Sequence, residues 1–193
     1  MKPVQRRQVL RAAAWLPAAV VWVPGAAWAQ SPPPVGGPAE VAAEVTGARL
    51  LGTGTLRFLG LRIYDARLWV GAAAPESDWQ AAPFALELQY LRNVKGEIIA
   101  ESSLKEMRRQ GEIDDVTAER WLGNMKQLFP DMQPGHRITG VNLPGVGARF
   151  FSNGQLRGEL REVDFARYFF GIWLSPRTSE PAMRERLLGR NAP

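Results

Sequence analysis

The stretch LGTGTLRFLGLRIYDARLWVG, residues Leu51–Gly71, contains two strand-like runs that meet at Gly60. The first run, Thr53–Leu59, contains glycine, whereas the second, Leu61–Val70, alternates between two faces. The two faces carry Arg62, Tyr64, Ala66, Leu68 and Val70 on one side and Leu61, Ile63, Asp65, Arg67 and Trp69 on the other. Because both faces include apolar side chains, the pattern predicts a central strand that is covered on both sides.

Arg57 lies among apolar residues of the first run, and we expect it to be buried. A buried cation is costly unless an anion pairs with it. Two interpretations remain open. Arg57 forms a structural salt bridge with Asp65 or with a glutamate elsewhere, or it is reserved for a carboxylate or enolate oxygen of a ligand. In the second interpretation, Tyr64 adds a hydroxyl donor.

The first 29 residues have the pattern of a secretory signal peptide. Basic residues precede the apolar segment Ala12–Val23, which is shorter than the ~20 residues of a membrane-spanning helix. Ala27-Trp28-Ala29 resembles a cleavage site, so we predict a cut after Ala29 and a periplasmic protein. Residues 6–11 also resemble a twin-arginine export motif, which leaves both export routes open.

Removing this predicted signal changes the charge balance of the chain. Four of the 24 Lys and Arg residues lie within residues 1–29, which leaves 20 basic residues against 19 acidic ones. No later basic block is interleaved with aromatic residues, so we expect no nucleic-acid partner. The chain contains no cysteine, which excludes disulfides, thiolate nucleophiles and Cys-ligated metals.

The composition divides the chain into four parts. After the signal at 1–29, residues 30–40 are rich in Pro and Gly and are predicted to be a flexible segment. A single domain follows at 41–189, with no predicted transmembrane segment in the mature protein, and 190–193 form a C-terminal tail. A domain of this length is large enough to bury a hydrophobic core.

Strand and helix signals follow one another beyond the first two runs, with a loop predicted over Ala72–Ala82. Asn153-Gly154 is the strongest hairpin signal. The further predicted elements are strand Phe84–Val94, helices Gly96–Arg109 and Val116–Phe129, strands His136–Leu143, Ala148–Ser152 and Gln155–Leu160, helix Phe165–Trp173, and a helix that starts at Ser179 and Pro181 and runs to Leu188. This order predicts an α+β fold with an antiparallel sheet and helices on one side.

The sequence offers little for an active site of another class. His136 is the only histidine and cannot form a metal site alone. No serine lies in a G-x-S-x-G motif, and Gly52-Thr53-Gly54 lacks the lysine of a phosphate-binding loop. We therefore expect no metal and no cofactor.

Short strings in a fixed order carry a resemblance to a known family. The strings are Gly52-Thr53-Gly54, Ile63-Tyr64-Asp65-Ala66-Arg67-Leu68, Leu128-Phe129-Pro130-Asp131, Pro134-Gly135, Phe150-Phe151-Ser152-Asn153-Gly154, Phe165-Ala166, Phe169-Phe170-Gly171-Ile172-Trp173-Leu174, Arg184 and Leu187-Leu188-Gly189. From about Val45 to Gly189 the chain resembles the chalcone isomerase-like family, specifically its exported bacterial branch.

The resemblance implies an open-faced β-sandwich, in which a curved antiparallel sheet and a helical layer enclose an apolar cleft. The family includes plant isomerases that close a chalcone to a flavanone. It also includes fatty-acid-binding proteins and members without known activity.

The resemblance also implies roles for individual residues. Arg57 corresponds to the cleft arginine, which holds an oxyanion in the enzymes and a carboxylate in the fatty-acid binders. Tyr64 falls where the enzymes have a catalytic Thr and the binders have Tyr. The enzymes carry a Tyr and an Asn on the next helix, where this sequence has Ile99 and Glu106. Tyr168, in the aromatic helix, is predicted to reach the cleft.

We therefore predict a ligand-binding site containing Arg57, Tyr64, Ile99 and Tyr168, without a catalytic residue. The leading hypothesis is a non-catalytic binder of a small hydrophobic carboxylate such as a fatty acid. An intramolecular lyase of the chalcone–flavanone isomerase type is the first alternative. A structural or interaction protein is the second, and it gains support if side chains fill the cleft.

Overall fold

The computed structural model describes residues 37–72 and 78–190, so the predicted signal peptide and residues 30–36 lie outside the described residues. One six-stranded antiparallel sheet has its strands in chain order, with helices packed against it. The elements are α1 Ala39–Glu44, β1 Arg49–Phe58, β2 Leu61–Val70, β3 Phe84–Tyr90, α2 Gly96–Arg108, α3 Asp115–Leu128, β4 Arg137–Leu143, β5 Gly147–Ser152, β6 Gln155–Leu160, α4 Val163–Leu174 and α5 Pro181–Leu187. The architecture is the predicted α+β arrangement.

The hairpin of β1 and β2 extends beyond the rest of the sheet. β2 pairs with β3 only from Tyr64 onward, whereas Leu61 and Arg62 pair with Phe58 and Arg57 of β1. Leu59 and Gly60 form the two-residue turn, with left-handed φ values of 48° and 79°. This turn geometry matches the right-handed twist of the two strands.

The inner face of the sheet packs against helices α2 to α5. The central part of this layer is aromatic, and its largest contributions come from Phe84, Trp121, Phe129, Phe150, Phe165, Phe169, Phe170 and Trp173. Gly52 allows α5 to approach β1, because a Cβ at Gly52 would lie 2.0 Å from the carbonyl oxygen of Arg186. Any larger residue there would push α5 off the sheet.

The outer face is partly covered by α1. A second cluster of buried apolar residues forms there, consisting of Val41, Val45, Ala48, Trp69, Ala85, Val141 and Phe151. The carboxylate of Glu40 accepts hydrogen bonds from Arg137 Nε and Nη2 at 3.0 and 3.1 Å and from Thr139 Oγ1 at 3.1 Å. The prediction that β2 is covered on both sides therefore holds for its second half, where Trp69 lies in this outer cluster and Leu68 and Val70 lie in the inner layer, whereas Leu61 and Arg62 are exposed.

Several boundaries differ from the sequence prediction, among them the start of β1, which is at Arg49 instead of Thr53. α1 begins at Ala39, inside the segment predicted to be flexible, because contacts distant in the chain stabilise Glu40 and Val41. The third strand ends at Tyr90 instead of Val94, and Val94 forms an isolated bridge to Met132. Among the described residues, no helix combines the length and the apolar character needed to cross a bilayer.

Candidate functional site

Tyr64 places a polar group inside the apolar layer between the sheet and the helices. Its hydroxyl oxygen accepts a hydrogen bond from Trp173 Nε1 at 2.9 Å, and its ring lies 5.6 Å from that of Tyr90. Burial is the main reason that the pKa of Tyr64 is raised, and the charges of Glu180 and Glu106 add to the effect, against the hydrogen bond from Trp173. The hydroxyl therefore stays neutral at physiological pH.

Two further polar side chains lie at the end of α2, and the charge of one of them, Glu106, acts on the Tyr64 hydroxyl. The Oε2 atom of Glu106 and the Oε1 atom of Gln110 are buried and accept no hydrogen bond from a described residue. Arg109 Nε lies 3.4 Å from Glu106 Oε2, and the Gln110 side chain packs against Gly171 of α4. We refer to Tyr64, Glu106, Gln110 and Trp173 as the Tyr64 cluster.

The Tyr64 cluster is suited to binding a group that both donates and accepts hydrogen bonds. The two unpaired oxygens are acceptors, and no described residue accepts the hydroxyl hydrogen of Tyr64. Leaving buried acceptors unpaired costs free energy, so such atoms call for an explanation in a native structure.

Arg57 lies outside this cluster, and the prediction that it is buried is wrong. Arg57 lies on the same face of β1 as Thr55, whose hydroxyl donates to Asp65 on the outer face of the sheet at 2.6 Å. The residue is exposed because its part of the hairpin projects beyond β3. The salt bridge considered for Arg57 and Asp65 is instead formed by Arg62, at 2.9 Å.

The other two predicted site residues have separate surroundings. Ile99 on α2 is half-buried and packs against the main core. The hydroxyl of Tyr168 donates to the carbonyl oxygen of Glu112 at 2.9 Å, and its ring lies 5.7 Å from that of Trp121. The Tyr168 hydroxyl is thus engaged by the connection between α2 and α3, and its predicted ligand contact remains a prediction.

Sequence reasoning missed two members of the Tyr64 cluster. Trp173 ends the predicted helix Phe165–Trp173, and nothing in the sequence shows that its indole N–H meets Tyr64. Gln110 follows the last residue of α2, where a side chain carries no periodic signal. Glu106 was detectable only from its correspondence to the Asn of the family enzymes.

Side chains fill most of the space between the sheet and the helices, with aromatic rings in edge-to-face contact around Phe169. A shallow notch remains on the inner side, near the ends of β2 and α5. The residues that line it are Leu51, Leu68, Val70, Trp79, Ala82, Pro83, Phe84, Leu174 and Leu188.

Comparison with protein families identifies this architecture. The model of the chalcone isomerase-like family matches residues 35–189, which include all the described strands and helices. The chain belongs to the chalcone isomerase-like family.

Two individual proteins are similar to this family member. An uncharacterized protein of Haemophilus influenzae is 27% identical over 108 residues, which are 56% of this chain and 52% of that protein. The chain thus spans about half the length of this curated relative. The crystal structure of a fatty-acid binding protein of Arabidopsis thaliana superposes with a TM-score of 0.58 at 15% identity, covering 75% of this chain and 88% of the other. The superposition confirms the chalcone isomerase-like fold.

Proposed function

We propose that this chalcone isomerase-like protein is a non-catalytic binder of a small hydrophobic carboxylic acid, such as a fatty acid. The observation that carries the proposal is the pair of buried side-chain oxygens of Glu106 and Gln110 that accept no hydrogen bond from a described residue, together with the electrostatic effect of Glu106 on the Tyr64 hydroxyl. Ligand sites in proteins are mostly apolar with a few polar groups that fix the orientation of the ligand. The Tyr64 cluster has this composition within the aromatic layer.

A carboxylic acid matches the hydrogen-bonding pattern of the cluster. Its O–H group donates to Glu106 or Gln110, and its carbonyl oxygen accepts from the hydroxyl of Tyr64. A charged carboxylate ligand would be repelled by the carboxylate of Glu106, so the ligand should bind as the neutral acid. Binding of the acid should therefore strengthen as the pH is lowered.

The same cluster argues against the isomerase alternative. The hydroxyl of Tyr64 is neutral and already held by Trp173. Ile99 offers no hydrogen bond where the enzymes carry a Tyr, and Glu106 repels a phenolate where they carry an Asn. We assign the head group of the ligand to Tyr64 and Glu106 and not to Arg57, because Arg57 is exposed and lies on the outer face of the sheet.

The test uses three ligands that differ only in the head group, namely a long-chain fatty acid, the corresponding alcohol and the methyl ester. We expect the acid to bind most tightly and the ester, which has no O–H donor, to bind most weakly. Tyr64→Phe should weaken binding of the acid by about 1 kcal/mol, the value for a neutral hydrogen bond. Tyr168→Phe tests the other predicted hydroxyl, and we expect a smaller effect because that hydroxyl bonds to a loop carbonyl.

Glu106→Gln independently tests whether the charge of Glu106 makes ligand binding depend on pH. Calorimetric titration of the parent should show tighter binding at about pH 6 than at about pH 8, and the variant should lose this dependence. Equal binding of acid, alcohol and ester by the parent would contradict the proposed head-group contacts.

The filled interior favours one other candidate, an interaction protein without a small-molecule ligand. In that case none of the three ligands binds, and native mass spectrometry of the protein from its own host shows no co-purified acid. A bound acid in that experiment would exclude this candidate.

A further inference from the structure

The tip of the β1–β2 hairpin is the most exposed apolar segment described. Phe58, Leu59 and Leu61 have exposed fractions of 65%, 86% and 50%. The hairpin projects beyond β3, so these side chains form a convex point and not a groove. We refer to Phe58–Leu61 as the hairpin tip.

The hairpin tip breaks a local rule of turn chemistry. Leu59 has a φ of 48°, in the left-handed region that Asn, Asp and Gly tolerate best. A leucine there is strained and also exposes its whole side chain to water. Local violations of this kind concentrate at functional sites, where another interaction compensates for them.

Arginines surround the base of the hairpin tip. Arg57 and Arg62 lie directly opposite each other on the two strands, an arrangement that destabilises a sheet when the charges are alike. Arg92 Nε donates to the carbonyl oxygen of Arg62 at 3.1 Å, which brings a third guanidinium group to this place. Among the described residues, Asp65 pairs with Arg62, whereas Arg57 and Arg92 have no ion pair.

We propose that the hairpin tip docks on an anionic phospholipid bilayer. Phe58, Leu59 and Leu61 would enter the boundary between head groups and acyl chains, and Arg57 and Arg92 would remain at the level of the phosphates. Apolar side chains flanked by basic ones are the usual composition of segments that lie at this boundary. The inference does not depend on the ligand of the Tyr64 cluster.

The charge and the shape of the hairpin tip favour a lipid bilayer over a second copy of the chain or another protein. A second copy of the chain would bring two positive tips together, which is electrostatically unfavourable. A convex apolar point fits a deformable lipid surface, whereas protein partners need a complementary pocket. A flat anionic surface also meets arginines on both strands of the hairpin at once.

The experiment is co-sedimentation of the protein, as its host produces it, with vesicles of phosphatidylcholine alone or mixed with phosphatidylglycerol. We expect binding to the mixed vesicles only, and weaker binding at high salt. Leu59→Asn should lower the partition coefficient roughly ten-fold, because a leucine loses its transfer into the lipid boundary. Arg57→Gln should lower it roughly five-fold.

Leu59→Asn separates docking from folding, because Asn accepts the left-handed turn and should not lower the melting temperature. Leu156→Asn is the matched control, since Leu156 is 62% exposed on β6, the strand at the other edge of the sheet. The proposal is overturned if the parent protein does not bind the mixed vesicles or if Leu59→Asn binds them as tightly as the parent does. It is also overturned if Leu156→Asn loses as much vesicle binding as Leu59→Asn. A change in oligomeric state of Leu59→Asn without vesicles would identify a second copy as the occupant and would also overturn it.

Discussion

Trp173 on α4 donates its indole N–H to the hydroxyl of Tyr64 on β2 at 2.9 Å, which joins two elements 109 residues apart in the chain. The surrounding contacts are apolar and largely independent of direction. A buried hydrogen bond between side chains requires a specific geometry, so it selects one placement of α4 on the sheet. The bond also keeps the Tyr64 hydroxyl oxygen occupied.

Tyr64→Phe should destabilise the protein, because the indole N–H of Trp173 loses its buried acceptor. We expect the free energy of unfolding to fall by about 1–3 kcal/mol, measured by chemical denaturation. The control Tyr168→Phe should cost less, since water can replace the hydroxyl at Glu112. Equal effects of the two substitutions would show that the Tyr64–Trp173 bond has no special role.

The ion pair of Glu40 and Arg137 should make the stability depend on pH. Burial alone would raise the pKa of Glu40, but the hydrogen bonds and charge of Arg137, with help from Thr139, lower it below its ordinary value of 4.5. Because the pKa of Glu40 is lower in the folded state than in the unfolded state, its ionised carboxylate stabilises the folded state above the unfolded-state pKa. This stabilisation is lost as the pH falls through the folded-state pKa. The contribution is therefore complete at neutral pH and fades below about pH 4.5.

Glu40→Gln should lower the free energy of unfolding at pH 7 by roughly 1–3 kcal/mol, because Arg137 loses a charged partner. Denaturation curves across the acidic range should show the gap between parent and variant narrowing below about pH 4.5. Glu97→Gln, in an exposed pair with Lys126, is the control and should change little. A gap that is constant with pH would contradict the assignment.

Gly52→Ala and Gly54→Ala should differ sharply in their effect on stability. A Cβ at Gly52 meets two backbone carbonyl oxygens of α5, at 2.0 and 2.4 Å, whereas one at Gly54 meets the flexible Met183 side chain at 2.7 Å. We expect Gly52→Ala to cost about 3 kcal/mol or more and Gly54→Ala roughly 1 kcal/mol, by thermal unfolding. Similar melting temperatures would show that α5 adjusts freely.

The protein should not accelerate the closure of a hydroxychalcone to a flavanone. Cyclisation requires an oriented phenolate and an enolate that is stabilised more than the ground state. Ile99 donates no hydrogen bond, and Glu106 repels a phenolate. The assay is the loss of chalcone absorbance at matched pH with and without protein, together with the chirality of the product. A stereoselective acceleration would promote the isomerase alternative.

The strand and helix order was predictable because local signals agree with the final structure. The alternation of side chains between two faces predicted both ends of β2, at Leu61 and Val70. Asn153-Gly154 predicted the turn between β5 and β6. The helix α1 was not predictable, because its stability comes from contacts such as Glu40 with Arg137, 97 residues away. A single sequence does not show which distant residues meet.

The candidate site was predictable only in part. Tyr64 was correctly placed on the same face of β2 as Ala66 and Leu68, and all three are buried. Arg57 was misplaced because the lengths of neighbouring strands decide whether a hairpin end is covered, and the sequence gives no register between β2 and β3. The unpaired oxygens of Glu106 and Gln110 depend on how α2 packs against α4, which is a tertiary property.

The strand order has a consequence for the rate at which the chain folds. Neighbouring strands are consecutive in the chain, and, among the described residues, α-helices separate only β3 from β4, over residues 91–136. Each group of three strands can form early from short-range contacts, which are entropically cheap to close. The long closure that brings Tyr90 N–H to the carbonyl oxygen of His136, at 2.8 Å, then becomes the step expected to limit the rate of folding.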